Sequence, residues 1–530
     1  MSHKPPDLSG KPAISKVTGA AGIIMFATLL SRVTGFLRTY LIYAVMKPGG
    51  YSDEFILAFS LPDIMFNLLA GGAIAAALIP VLSSLISKGN EEDAWKALST
   101  FLNISMMALL VMEVVFLFWT DGILNLVAAG YKNGKGDKEM LVNLTRILLL
   151  NVPFMMLAGQ CNGILNSYKK FAAAAFGPVV YNLCTILGIG LFGATNVYTT
   201  AWAIVGSAAI FFMIQMASTW KHFKQFHFRI EIQQPAFRRM MKLAVPSLAS
   251  SSIVEFNNVV ARGFATFFDK GMLTLLNNAN RTWQLPMGIF AQSVGIAMLP
   301  TLSAHHAAND KDAFRRLFNR GIRAVFLICL PIAMIMVVQN DQIMRVLFKW
   351  GTLPEEDVFY GGIALLGYAA ALISASLLGL TIRAYYAMHD SLTPLLNGLL
   401  GIAVNYGFNV LFHRLTNFGI AGTALAYTIT SYVNMFILLV LFSQKTGIRF
   451  FTDNRLFFVK SLMALIPTTA ALYGLVSIIK PDIESKISQI VCLLVPAFIA
   501  CGLFYLISSI LKIEEIALLR NIVMKKMNRK

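Results

Sequence analysis

The sequence predicts an all-α polytopic membrane protein of about 14 transmembrane helices, arranged as two parallel six-helix halves plus two C-terminal helices. Three observations carry this. The 530 residues are 57% hydrophobic and only 13% charged, about half the charged fraction of soluble domains. Long apolar runs recur along the whole chain, each of a length that crosses a bilayer. A block of residues also recurs at an offset of around 220 positions.

Taken in order, residues 1–16 are a polar tail with three lysines. Apolar spans follow at roughly 17–46, 54–86, 97–119, 139–166, 172–194, 198–219, 240–268, 271–303, 320–339, 358–386, 391–412, 417–443, 456–479 and 487–511. Pro and Gly recur inside them, as membrane helices tolerate. The first span is too long, and too closely followed by a second, for a cleaved signal peptide. Residues 513–530 read as a short amphipathic basic helix. The expected division is a tail 1–16, an N-terminal half 17–219, a cytoplasmic linker 220–239, a C-terminal half 240–443, two extra helices within 456–511, and a basic tail 512–530.

The net charge of +18 would suggest nucleic acid in a soluble chain. Here it follows from topology. With the N-terminus cytoplasmic, the inner loops and both tails hold roughly 28 Lys and Arg and the outer loops about 10, as the positive-inside rule requires. Both termini are therefore expected on the cytoplasmic side, and nucleic acid is not an expected partner. The five cysteines all lie in apolar runs without metal-ligand spacing and read as buried small apolar residues.

The repeat pairs Ile79-Pro80-Val81-Leu82-Ser83 and the following Asn90 to Lys96 with Leu299-Pro300-Thr301-Leu302-Ser303 and Asn309 to Arg315. Leu61-Pro62 matches Leu285-Pro286, and Ser167-Tyr168 with Pro178 and Asn182 echoes Tyr385-Tyr386 with Pro394 and Asn397. An even number of spans separates the copies, so both have one orientation. Two parallel halves with a site between them is a transporter architecture.

Polar residues inside the spans indicate chemistry. Arg32 and Arg38 sit in the middle of the first apolar run, where a charge costs a few kcal/mol or more. They mark either a membrane edge or a wet, anion-binding cavity; the apolar flanks on both sides favour the cavity. Six helical residues leave them about 120° apart, and a bend at Gly35 would bring them together. Ser60, Asp63, Asn67 and Gly71 share a face of the second span. Glu255, Asn258 and Arg262 do so in the seventh, and Asn277, Arg281, Gln284 and Gly288 in the eighth. Arg32, Arg38, Arg262 and Arg281, with Asn258, Asn277 and Gln284, are the candidate substrate-binding set, because guanidinium forks suit phosphate oxygens. Asp63 and Glu255 are candidates for gating or for binding a coupling ion, Na⁺ or H⁺. Structural bridges from Glu255 to Arg262 and from Asp63 to Arg38 are the alternative. Asp53 and Glu54 read as a solvated outer loop, with an outer gate as the alternative. Trp119, Trp220 and Trp350 read as interfacial anchors, and His305 and His306 as solvated. Glu113 and Arg146 have no assigned role. No P-loop and no clustered carboxylates or histidines of a membrane enzyme are evident, so no cofactor or resident metal is expected.

The block Ser31-Arg32-Val33-Thr34-Gly35-Phe36-Leu37-Arg38, then Asp53-Glu54-Phe55 and Leu61-Pro62, resembles the opening of the MurJ (MviN) lipid II flippase family. Asn280-Arg281 leading to Leu285-Pro286 and Leu299-Pro300-Thr301-Leu302-Ser303 resembles it as well, and the resemblance runs over the whole chain. It implies a multidrug/oligosaccharidyl-lipid/polysaccharide exporter fold and transfer of undecaprenyl-diphosphate-linked peptidoglycan precursor from the inner to the outer leaflet. It also implies that Arg32, Arg38 and Arg281 contact the headgroup and that the last two helices hold the lipid tail. Expected partners are the glycolipid, membrane lipids and the cell-wall synthesis machinery. The sequence departs from the Gram-negative pattern at Thr39, Phe66-Asn67, Gly71 and Asn280. The alternatives are a flippase for another polyprenyl-diphosphate glycan, a cation-coupled drug exporter of the same fold, and a polytopic envelope-synthesis enzyme.

Overall fold

A computed structural model describes residues 11–46, 50–70, 74–133, 136–192, 196–349, 354–479, 482 and 485–516. Gly71, Trp350 and most of the basic tail lie outside them. Among the described residues every regular element is helical. The helices are α1 (Lys11–Met46), α2 (Ser52–Ala58), α3 (Ser60–Leu69), α4 (Ile79–Ser87), α5 (Glu91–Val127), α6 (Lys138–Leu149), α7 (Asn151–Ser167), α8 (Phe171–Phe192), α9 (Val197–Thr219) and α10 (Pro235–Ala265). They continue as α11 (Met272–Pro286), α12 (Gln292–Ala307), α13 (Lys311–Val338), α14 (Asn340–Phe348), α15 (Glu355–Ala369), α16 (Ala371–Ala387), α17 (Leu392–Leu415), α18 (Ile420–Thr446), α19 (Phe450–Ile478) and α20 (Lys486–Ile510).

Eleven helical stretches are long and apolar enough to cross a membrane. The other three expected spans fall on α1, on the broken stretch α2–α4, and on α10, whose serines, asparagines and glutamate lower its hydropathy. The chain divides into two compact units. The first is Met1–Lys47, Glu54–Leu126 and Asp137–Glu255; the second is Pro48–Asp53, Val127–Gly136 and Phe256–Lys530. In the first, α1 packs on α8, and α9 on α7 and α8. In the second, α18 packs on α15, α16 and α17, and α19 packs on α13 and α20.

The repeat is structural. A π-helical turn precedes the second proline of each copy, at Ile74–Leu78 and at Met287–Ala291. The fourth span breaks at Leu150 and the tenth at Ala370, 220 positions apart. The helix-ending turns match as well. Gly89 and Asn309, and Lys169 and His389, take positive φ, and each following N–H reaches back five residues to a carbonyl. These are Schellman endings, which satisfy carbonyls the helix leaves bare. This geometry corrects two pairings read from the sequence. Asn309 stands opposite Gly89, not Asn90, and Tyr168 stands opposite Met388, not Tyr385 or Tyr386, because the hydrogen-bonded turn rather than residue identity fixes the register. Trp119, expected at a span end, is where α5 kinks, at φ −103° and ψ 16°.

Candidate functional site

In the first unit the two arginines of α1 differ in setting. Arg32 is exposed and Arg38 half-buried. The Arg38 guanidinium carbon stands 5.3 Å from the ring centre of Tyr181 on α8, a cation–π contact that strengthens when water is excluded. Its Nε is buried and donates to nothing. A buried unpaired donor is costly, and an anion arriving there would relieve that cost. Asp63 and Arg38 both act electrostatically on the buried Tyr181 hydroxyl, so α3 brings its carboxylate to the same neighbourhood. Asn67 donates to the Asp63 carbonyl at 2.9 Å.

The helix α1 runs through Gly35 without a break, which corrects the expected bend there. Gly35 serves a close approach instead. A Cβ on it would stand 3.3 Å from the Asn182 side-chain nitrogen. That amide donates to Ser31 O at 3.0 Å and Thr34 Oγ1 at 3.3 Å. Arg32 and Arg38 thus keep their helical separation, with Asn182 clamping the α1 backbone between them. Thr39, one of the departures, turns its hydroxyl onto Gly35 O at 3.1 Å. Glu255, at the end of this unit, is buried.

In the second unit, Trp283 locks α11. Its ring stacks on Tyr368 at 6.1 Å and packs on Tyr427 at 5.5 Å. Arg281, two residues earlier, lies about 200° away around the helix and is exposed. Asn277 is buried, and Gln284 is half-buried and donates to Asn280 Oδ1 at 2.9 Å. The same oxygen accepts Trp283 Nε1, so Asn280 works as an acceptor that orients Trp283 and Gln284. Asn258 and Arg262 are half-buried on α10.

Two groups were missed. Asn257 and Asn405 join α10 to α17 at 2.9 Å, and Asn409 extends the ladder to Asn405; the asparagines of span 391–412 were the available signal. On α12, a Cβ at Gly295 would stand 2.2 Å from Arg383 Nη1, so a glycine makes room for Arg383, a span arginine to which no role had been given.

Asp53 and Glu54 correct the solvated-loop reading, being 7% and 2% exposed. Asp53 Oδ2 accepts Gly271 N at 2.6 Å, and Oδ1 accepts Thr274 N at 2.9 Å and the Thr274 hydroxyl. It thereby caps the N-terminus of α11 from a distant point of the chain. Glu54 Oε1 accepts Asp137 N at 3.1 Å. His305, expected to be solvated, is half-buried and lines a cavity with His306, Lys311 and Lys445.

A multi-pass chain whose described elements are all helical, with an internal repeat in its sequence, has the make-up of a membrane transporter. The known proteins place it further. The family model for the lipid II flippase MurJ matches residues 43–509, and the chain belongs to that family. It is 28% identical over 430 residues to the lipid II flippase MurJ of Burkholderia cenocepacia, covering 79% of this chain and 82% of that one. It is 27% identical over 499 residues to the probable lipid II flippase MurJ of Haemophilus influenzae, covering 90% and 96%. A solved lipid II flippase MurJ in an inward closed conformation has a TM-score of 0.73 at 21% identity, covering 91% of this chain and 98% of that one. An inward-facing multidrug transporter of the MATE family has a TM-score of 0.63 at 15% identity, covering 78% and 94%. These last two show the fold.

Proposed function

We propose that the chain carries lipid II, the undecaprenyl-diphosphate-linked peptidoglycan precursor, from the inner to the outer leaflet of the bacterial cytoplasmic membrane by alternating access. The family supports the cargo. The observation that carries the mechanism is Arg38, held on Tyr181 with a buried Nε that donates to nothing. A diphosphate carries about two negative charges and cannot enter an apolar core unpaired. Guanidinium forks from each half, Arg32 and Arg38 in the first and Arg262 and Arg281 in the second, offer it charge-assisted hydrogen bonds. Asn258, Asn277 and Gln284 supply neutral polar contacts for the sugars. No bond in the cargo is made or broken, so this is transport rather than catalysis.

The six-helix halves are residues 17–219 and 240–443, and both termini face the cytoplasm. With no P-loop in the sequence, the drive is an ion gradient, the membrane potential or consumption of the product outside, and of these we favour resetting assisted by the potential. A site rich in arginine that returns empty to the inside moves positive charge down an inside-negative potential, worth about 2.3 kcal/mol per charge per 100 mV. An ion bound at Asp63 or Glu255 is the competing drive. Flipping assayed in proteoliposomes tests the proposal. Collapsing the potential while keeping both ion gradients slows it if resetting is electrical and leaves it unchanged if an ion gradient drives it.

A further inference from the structure

The linker between the halves is a strap. Phe226 is extended, at φ −72° and ψ 137°, and the non-helical segment that follows, bent at Phe228, runs alongside α5 in the first unit. Asn103 Nδ2 donates to the carbonyls of His227 at 3.0 Å and Arg229 at 3.2 Å. His227 N donates to Ser99 Oγ at 3.2 Å and Glu231 N to Thr100 Oγ1 at 3.1 Å. Gln234 Nε2 closes the run on Asp93 O at 2.8 Å. A chain of rings, Trp95, Phe223, Phe226 and Phe228, joins the buried core to the strap's outer side at 5.8, 6.0 and 5.1 Å.

That outer side is apolar. Phe228 is 88% exposed, Ile232 58% and Ile230 42%, with the exposed cations Lys221, Lys224 and Arg229 interspersed. The depth of the contact decides what covers them. The apolar span of α5 opens near residue 97, so Asn103 lies about 9 Å along it at the helical rise of 1.5 Å per residue. Non-helical peptide at that depth needs protein partners for its backbone groups, because lipid offers none. Ser99, Thr100 and Asn103, three polar residues near the start of the apolar span, supply partners for His227 N and O, Arg229 O and Glu231 N.

We infer that residues 226–232 form a shallow re-entrant strap in the inner leaflet. Phe228, Ile230 and Ile232 contact phospholipid chains, and Lys221, Lys224 and Arg229 contact anionic headgroups. Bulky apolar residues with basic neighbours are the composition that seats a segment at an anionic interface. This is independent of what the chain carries.

The test is photo-crosslinking of the full chain in vesicles of phosphatidylethanolamine and phosphatidylglycerol, with p-benzoyl-phenylalanine replacing Phe228, read by intact mass. Val111, exposed on α5, is the lipid-facing reference and Lys88 the aqueous one. The strap predicts phospholipid adducts at 228 comparable with those at 111, enriched in phosphatidylglycerol above its share of the vesicle. Adducts no more frequent than at 88, or adducts to protein instead, overturn the location; adducts without that enrichment overturn the headgroup contact. Hydrogen exchange in the same vesicles is the second readout, through the amides of His227 and Glu231. They should be protected, and Asn103→Leu with Ser99→Ala and Thr100→Val should expose them. Exchange at loop rates in the unaltered protein would contradict the strap.

Discussion

The Asp53 carboxylate accepts both the backbone N–H and the hydroxyl of Thr274, a residue 221 positions away. A distant segment therefore caps α11, the helix that carries Arg281. Asp53→Ala removes the acceptor from three buried donors. A lost cap costs about 0.5–2 kcal/mol, and bonds to a charged acceptor lie at the upper end of that scale. Thermal unfolding should rank the protein above Asp53→Asn, and Asp53→Asn above Asp53→Ala. An unshifted midpoint for Asp53→Ala would show that the cap contributes nothing.

Gly35 permits the approach of α8. Gly35→Leu should force Asn182 off Ser31 O and Thr34, losing hydrogen bonds worth roughly 1 kcal/mol each and moving Tyr181 from under Arg38. Gly35→Ala, whose Cβ would stand 3.3 Å from a side chain that can shift, should be mild. Folded yield and transport per molecule distinguish them; equal behaviour of both variants would argue against the clamp.

His222 stacks on Tyr168 at 3.8 Å beside the strap, and its Nε2 is buried without a partner. Burial, then the nearby Lys170, push its pKa down, against a smaller opposing effect of Glu91. The unfolded chain therefore binds the proton first. The stabilisation is full above about pH 6.5 and is lost as pH falls from there toward the lowered folded value. His222→Phe keeps the stack and removes the titration. The unaltered protein should lose thermal stability relative to this variant on acidification, whereas parallel profiles would contradict the effect.

What the sequence made legible follows its periodicities. Apolar runs long enough for a bilayer, and prolines repeated 220 apart, announce the helices and the two copies. Arg32 and Arg38 stand out because charge inside such runs is rare. What stayed hidden depends on partners far along the chain. The donors that bury Asp53 lie more than 200 residues away, and nothing near Asp53 signals them. Asn182, which decides that Gly35 is a contact rather than a bend, sits on α8, the fifth span of the first half, and packs there only once α1 and α8 meet. Ser99, Thr100 and Asn103 are polar residues of an apolar span, and the backbone they bond belongs to the linker 220–239, 124 to 131 positions further along the chain.

The central claim is that arginines carry the diphosphate, and transport of lipid II measured per folded molecule tests it most directly. Alanine at Arg38, Arg32 or Arg281 should abolish flipping while abundance and insertion stay normal. Lysine keeps the charge but loses the planar fork, so it should restore flipping only in part. If all three alanine variants accumulate normally and flip at the full rate, the anion-binding account is contradicted.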